Sequence, residues 1–139
     1  MKNRIVRVGC GALIINDKGE VLLLKRGKKT RNQAGLWCQP GGGVDYGETV
    51  EQAIIREIKE ELGIEIQLVK YLCYTDQILS DEDQHWIAIS YLGKIVKGEA
   101  QNLEPHKHEE IAWFSINSLP DDLSDTTKDS TKAYLVSGL

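Results

Sequence analysis

The chain of 139 residues is 41% hydrophobic and 27% charged, a balance that predicts one packed domain over residues 1–139 and excludes low-complexity and disordered classes. Its formal net charge of −4 argues against a protein that grips nucleic acid polymers by broad phosphate neutralisation, which requires a basic face. Three widely spaced cysteines, Cys10, Cys38 and Cys73, fit neither a disulfide framework nor a paired zinc spacing, so reduced thiols in a cytoplasm are expected.

Lys2 and Arg4 precede an apolar run that is broken by Gly9 and Gly11 and ends at Asn16-Asp17. That is the pattern of a strand, and neither a signal peptide nor a membrane span is expected. Ile5 to Ile15 and Val21 to Leu24 are β-rich runs flanking Asn16-Asp17-Lys18-Gly19, whose Asp/Gly chemistry predicts a hairpin. A basic loop follows, with Lys25, Arg26, Lys28, Lys29 and Arg31, and then Leu36 to Gln39 leads into Pro40-Gly41-Gly42-Gly43. Three glycines after a proline forbid a regular helix and allow close backbone approach.

From about Glu48 to Leu62 the period becomes helical, with Val50, Ala53, Ile54, Ile58 and Leu62 on one face. Thr49 suits the N-cap and Gly63 the left-handed C-terminal position. Ile64 to Leu68, Val69 to Thr75 and Trp86 to Val96 read as strands, with Asp81-Glu82-Asp83 as a turn. A last strand, Ile111 to Ser115, leads through Leu119-Pro120 into a helix from about Asp121 to Val136. Two helices on a mixed sheet give an α/β layered domain, with helices on both faces of a sheet too mixed to be a parallel dinucleotide-binding one.

The first helix carries the chemistry. Arg56-Glu57-Ile58-Lys59-Glu60-Glu61 places three carboxylates within five positions, and at about 3.6 residues per turn they project to one side of the helix, bordering its buried face. Crowded, partly desolvated carboxylates call for a counter-charge, and a hard divalent cation with oxygen ligands supplies it. Mg²⁺ also binds phosphates, which lets an acidic protein hold an anionic substrate. An acidic triplet alone more commonly marks a solvated or ion-paired helix face.

Here the triplet has company. Gly42, five residues, Glu48, seven residues and then Arg56-Glu57-Ile58-Lys59-Glu60-Glu61-Leu62-Gly63-Ile64 match every fixed position of the Nudix box. Pro40-Gly41-Gly42 before it, and Trp113-Phe114-Ser115 with Leu119-Pro120 after it, resemble the family's flanking strand ends. The chain is thereby identified as a suspected member of the Nudix hydrolase superfamily. The resemblance implies an α/β/α sandwich around a mixed β-sheet. It also implies Mg²⁺, with Mn²⁺ as a substitute, held by Glu57, Glu60 and Glu61 with the Gly41 carbonyl as a further ligand. By the same resemblance Arg56 pairs with Glu48 to hold helix against loop. The reaction expected is hydrolysis of a phosphoanhydride, the metal orienting water and neutralising charge. Glu60 or Glu57 is expected to take the proton from that water, with Glu109 or Glu110 as outside candidates.

Substrate groups are less legible. Arg26, at the end of a strand aimed at the glycines, is the expected phosphate contact of the basic loop, with Gly41, Gly42 and Lys107 beside it; the rest of that loop reads equally as solvated. Asn102-Leu103-Glu104-Pro105-His106-Lys107 is similar to a stretch of the MutT-like nucleoside triphosphate pyrophosphatase branch. That similarity implies a small-molecule nucleotide substrate, a (deoxy)nucleoside triphosphate, those with an oxidised base included, cut to monophosphate and pyrophosphate. Alternatives are coenzyme A, NADH or a sugar nucleotide. The coenzyme A signature is only partly present, with Gln39 where an aromatic residue is expected, and Ser80 stands where an ADP-ribose enzyme has proline. A nucleotide-sensing, non-catalytic domain is a reading of another class, against which the intact acids argue; an isomerase is weaker still, because Cys38 lacks an acid/base partner. Trp37, Trp86, Tyr74 and Tyr91 either stack on a base or fill the core. His85, His106 and His108 read as surface residues. A homodimer is compatible with all of this.

Overall fold

The structure, a computed structural model, describes residues 4–30 and 33–137. Arg31 of the basic loop, like Lys2, lies outside the described residues.

Strand β1 (Val6–Ile14) is the centre of the architecture. Its consecutive residues Ala12, Leu13 and Ile14 are all 0% exposed, so both faces of the strand are covered, as an unbroken apolar run requires. One edge of β1 pairs antiparallel with the short strand β4 (Gly41–Gly43), Gly11 opposite Gly41 and Gly9 opposite Gly43. The other edge pairs in parallel with β6 (Gln84–Lys97), from Val6 opposite His85 to Ile14 opposite Gly93. Strand β5 (Glu65–Leu79) completes this sheet in the order β4-β1-β6-β5. A second sheet has the order β3-β2-β7, from Trp37–Cys38, Glu20–Arg26 and His108–Ser115.

The expected hairpin between the first two strands does not form. The turn itself is present: the Asn16 side chain accepts from the amides of Lys18 and Glu20, and Gly19 has φ 73°. However, β1 and β2 meet only at an isolated bridge between Ile15 and Val21. Both edges of β1 are already taken by β4 and β6, so β2 passes into the second sheet.

Alternate residues of the two central strands feed two cores. Cys10, Ala12, Ile14, Leu22 and Leu24 pack with Ala53, Ile54, Ile58 and Leu62 of helix α1 (Val50–Leu62). Leu13, Val21 and Leu23 pack with Trp37 and, at the margin, Tyr134 of helix α2 (Asp125–Val136). The sheets are therefore sandwiched between the helices, as anticipated. The Ile and Leu side chains that α1 buries contribute about 1.5–3 kcal/mol each.

Helix α1 starts and stops where its sequence says. The Thr49 hydroxyl accepts from the Gln52 amide while the Gln52 side chain accepts from the Thr49 amide, a reciprocal cap. Gly63, at φ 70°, ends the helix and donates to the Lys59 carbonyl. Elsewhere tertiary pairing moved boundaries. The two strands expected between Ile64 and Thr75 are one strand, kept continuous by its pairing with β6 despite irregularities at Glu65/Ile66, Leu68/Lys70 and Tyr71/Cys73. Helix α2 begins four residues later than expected, because the preceding segment pairs with β3: Trp37 donates to the Asp122 carbonyl and the Ser124 amide donates to the Trp37 carbonyl. Among the described residues no helix is long and apolar enough to cross a membrane.

Candidate active site

Two close approaches bring the glycine strand and the acidic helix together. At Gly41 a Cβ would overlap the Cys10 carbonyl and lie 2.6 Å from the Gly11 Cα, so this position tolerates no side chain against β1. At Gly42 a Cβ would overlap the carboxyl carbon of Glu57 and lie 2.9 Å from its Oε1. The absence of side chains on β4 thus lets α1 seat its carboxylates directly on the strand. Glu61 Oε1 accepts from the Gly41 amide at 2.9 Å.

Arg56 is the electrostatic hub. Its Nε donates to Glu48 Oε2 at 3.0 Å and its Nη2 to Glu48 Oε1, forming the expected fork between helix and loop. Nη1 donates to Glu57 Oε1 at 2.8 Å and to Glu60 at 3.3 Å, and Nη2 donates to the Gly43 carbonyl at 3.1 Å. The guanidinium holds the Glu48 carboxyl down at about 2. Arg56 is itself held above its ordinary value by these acceptors, Glu48 foremost.

The three helix carboxylates do not share one environment. Counting about 100° per residue, Glu60 and Glu61 point about 100° apart, one on either side of the Glu57 direction. Glu61 is 5% exposed and faces β4, Glu57 is half-buried against Gly42, and Glu60 is half-exposed over Arg56. Burial is the main reason the Glu57 carboxyl is raised and the Glu61 carboxyl is pushed up to about 8. The Gly41 amide opposes that rise at Glu61, while negative charge on Glu57 and Glu104 adds to it.

Two residues that sequence reasoning passed over join Glu61. The segment between β6 and β7 is tied to the end of α1, with the Gln101 amide donating to the Leu62 carbonyl and the Leu103 amide to the Glu61 carbonyl. A tight turn then bonds the amides of Lys107 and His108 to the Glu104 carbonyl. One ligand atom each from Glu61, Glu104 and His108 lies within 4.8 Å of the others. His108, expected at the surface, is 3% exposed, because the turn aims the first residue of β7 inward. Its Nε2 lies 3.5 Å from Glu61 Oε2, yet burial pushes the imidazole down to about 4 and the carboxyl up. Desolvation thus favours the uncharged form of each group, and the contact does not count as a stabilising ion pair. The available signal was the Glu104-x3-His108 spacing across a Pro-containing turn.

The remaining candidates distribute clearly. Arg26 lines the cleft beside Gly41, Gly42, Glu61 and His108, a space of about 210 Å³. Lys107 is half-exposed, with Nζ 3.6 Å from Glu104 Oε2, and its charge favours the ionised forms of Glu57 and Glu61. Glu109 is engaged by Lys25 at 3.4 Å. Trp86 lines the cleft, whereas Trp37 is 8% exposed and meets Phe114 edge-on at 4.9 Å, as a core residue. Tyr74 is exposed, and Tyr91 packs against the core and Tyr71. Burial raises the Cys38 thiol and pushes that of Cys10 up to about 12, so neither is poised as a nucleophile. A separate hollow near Arg4, Asp83 and His85 holds none of the box acids.

The sequence profile of the NUDIX domain matches residues 6–135. The chain belongs to the Nudix family. Among solved structures, a MutT Nudix hydrolase from Burkholderia pseudomallei superposes with a TM-score of 0.86 at 43% identity, covering 93% of this chain and 98% of that one. An ADP-ribose pyrophosphatase of Methanocaldococcus jannaschii is 36% identical over 107 residues, which is 77% of this chain but only 61% of that protein. A CTP pyrophosphohydrolase of Escherichia coli is 34% identical over 107 residues, 75% of this chain and 73% of its own length. In this Nudix chain the box supplies both the Arg56 clamp and the carboxylates that rest on β4.

Proposed function

We propose that the protein hydrolyses a phosphoanhydride bond of a nucleotide, converting a (deoxy)nucleoside triphosphate to its monophosphate and pyrophosphate with Mg²⁺. The observation that carries this reading is the seating of Glu57 and Glu61 on Gly42 and Gly41 at the wall of the cleft that Arg26 and Trp86 also line. Glu57, Glu60 and Glu61 would hold the metal. Their oxygen-only set suits Mg²⁺, and a cation held there would favour the ionised form of the desolvated Glu61 carboxyl. Bound there, Mg²⁺ supplies charge neutralisation for the phosphate chain and acidifies a water.

The chain's own residues do the rest. Arg56 orients Glu57 and Glu60 while fixing loop to helix through Glu48. Glu60, half-exposed and hydrogen-bonded only at 3.3 Å, is the carboxylate free to accept a proton from attacking water, with Glu57 as second choice. Arg26 and Lys107 bring positive charge to the phosphates, and Trp86 offers an aromatic face to the base.

The Escherichia coli relative's name favours a nucleoside triphosphate. The Methanocaldococcus jannaschii relative's name favours a second reading, a nucleoside diphosphate joined to a sugar. Nucleoside triphosphates, ADP-ribose, NADH, coenzyme A and sugar nucleotides, each incubated with Mg²⁺ and resolved by product chromatography, separate the two. Pyrophosphate with a monophosphate supports the first; turnover of the diphosphate-linked compounds alone supports the second. No Mg²⁺-dependent turnover of any of them would overturn both.

A further inference from the structure

We propose that Gln39 is a positioning residue that sets the nucleoside side of the cleft, by holding helix α2 on the sheet through a layer of buried hydroxyls. The proposal rests on the nucleotide reading above and deepens it.

Helix α2 docks unlike α1. Where α1 buries Ala53, Ile54, Ile58 and Leu62, the buried positions of α2 are Thr127, Ser130 and Thr131. Leu135 and Val136 at its end are exposed, and Tyr134 packs only at the margin of the second core. Apolar burial therefore holds α2 weakly, and directed hydrogen bonds set its place. Gln39, between β3 and β4, makes three of them. Its Nε2 donates to the Ser90 hydroxyl of β6 at 2.8 Å, its Oε1 accepts from the Ser130 hydroxyl, and its backbone amide donates to the Thr127 hydroxyl at 2.9 Å. The side chain lies over β1 at Gly11, where a Cβ would stand 3.2 Å from Nε2. One amide thus joins the central sheet to the helix, and Thr75 adds a second tie by donating to Asp129 at 2.7 Å.

The start of α2 is a wall of the cleft. Ser124 from its cap and Thr126 from its first turn line that space together with Gln77 and Trp86. The Thr126 hydroxyl is buried with no hydrogen-bond partner among the described residues. These groups carry no charge, so they suit the hydrogen-bonding edge of a nucleoside and leave the phosphates to the box acids with their metal and to Arg26. The glycine strand has its own anchorage, because β4 pairs with β1 and the Pro40 carbonyl accepts from the Ala12 amide at 3.1 Å. Without the Gln39 side chain, Ser130 keeps only its bond to the Thr127 carbonyl of its own helix. Loss of that side chain therefore loosens α2 while Gly41 and Gly42 stay beneath the box acids. Gln39 governs affinity for the nucleoside and not the rate of the chemical step.

The test compares the full-length wild type with Gln39→Met, which keeps the length of the side chain and removes both of its hydrogen bonds, and with Ser130→Ala. In the substrate-free protein, the amides of α2 should exchange with deuterium about tenfold faster in both variants, with those of α1 nearly unchanged. With Mg²⁺ and CTP, ATP, GTP or UTP, KM should rise about tenfold and kcat should change less than about twofold. Inhibition by inorganic pyrophosphate, which has no nucleoside, should stay as in the wild type. Should Gln39→Met fail to fold by circular dichroism, Ser130→Ala decides. The proposal is overturned if α2 exchanges at the wild-type rate, if kcat falls with KM unchanged, or if pyrophosphate inhibition weakens as much as KM rises. Absence of turnover in the wild type overturns the nucleotide reading, whereas wild-type exchange in the variants overturns the role of Gln39, so the two failures are told apart.

Discussion

Alanine at Gly41 and alanine at Gly42 add the same methyl group to adjacent residues, and the structure predicts opposite failures. At Gly42 the nearest atoms to the new Cβ are the end of a flexible side chain, the Glu57 carboxyl, with Oε1 at 2.9 Å and the carboxyl carbon closer still. Glu57 can swing away, but to reach ordinary contact its carboxyl must retreat by about 1 Å, and displacement of that size in a reacting constellation costs on the order of a hundredfold in rate. At Gly41 the Cβ meets backbone, the Cys10 carbonyl and the Gly11 Cα at 2.6 Å, which cannot move without parting β4 from β1. That overpacking should cost roughly 3 kcal/mol, or about 10 °C in melting temperature for a chain of this size. Calorimetry and initial-rate assays on both variants check the pair. Gly42→Ala should melt within about 1 kcal/mol of the wild type and lose most of its turnover, while Gly41→Ala should lose stability first. A fully active Gly42→Ala would refute the seating of Glu57 on β4 as a catalytic requirement.

Other consequences follow from single contacts. Glu61→Gln keeps an acceptor for the Gly41 amide, so the fold should persist while Mg²⁺-dependent turnover disappears; unchanged kcat would remove Glu61 from the metal set. Arg56→Lys replaces a fork that serves Glu48, Glu57 and Glu60 with a single ammonium, so kcat should fall at least tenfold with a much smaller change in KM; a loss confined to KM would contradict a positioning role. In EDTA, pH acts on two opposed groups. Glu61, raised from 4.5 to about 8, contributes stability that is present below 4.5 and lost as pH rises through about 8. His108, lowered from 6.5 to about 4, contributes stability present above 6.5 and lost as pH falls through about 4. The slopes cancel between 4.5 and 6.5, so metal-free protein should lose about 2 kcal/mol from pH 6.5 to 8. Thermal melts across that range test it, and an equal loss in Glu61→Gln would exclude Glu61 as the cause.

What the chain order alone determined lies mostly within one helix and its caps. Thr49, Gln52 and Gly63 act on backbone groups three or four residues away, and the spacing of Arg56 to Glu61 is set by the helical repeat, so local geometry made both legible before any fold was known. The Arg56–Glu48 clamp was reachable only through the family resemblance, since a loop of unknown path separates the two. Tertiary structure decided the rest. It split the apparent hairpin, because a strand has two edges and β1 gives both to β4 and β6. It sent Glu60 toward solvent and Glu61 inward, because a quarter turn of helix separates them at the border of the core. It also brought Glu104 and His108 against Glu61, more than forty residues away in sequence, through carbonyls left unpaired at the end of α1. Contacts made across such distances depend on how whole elements pack, and no periodicity in the residues between them records that.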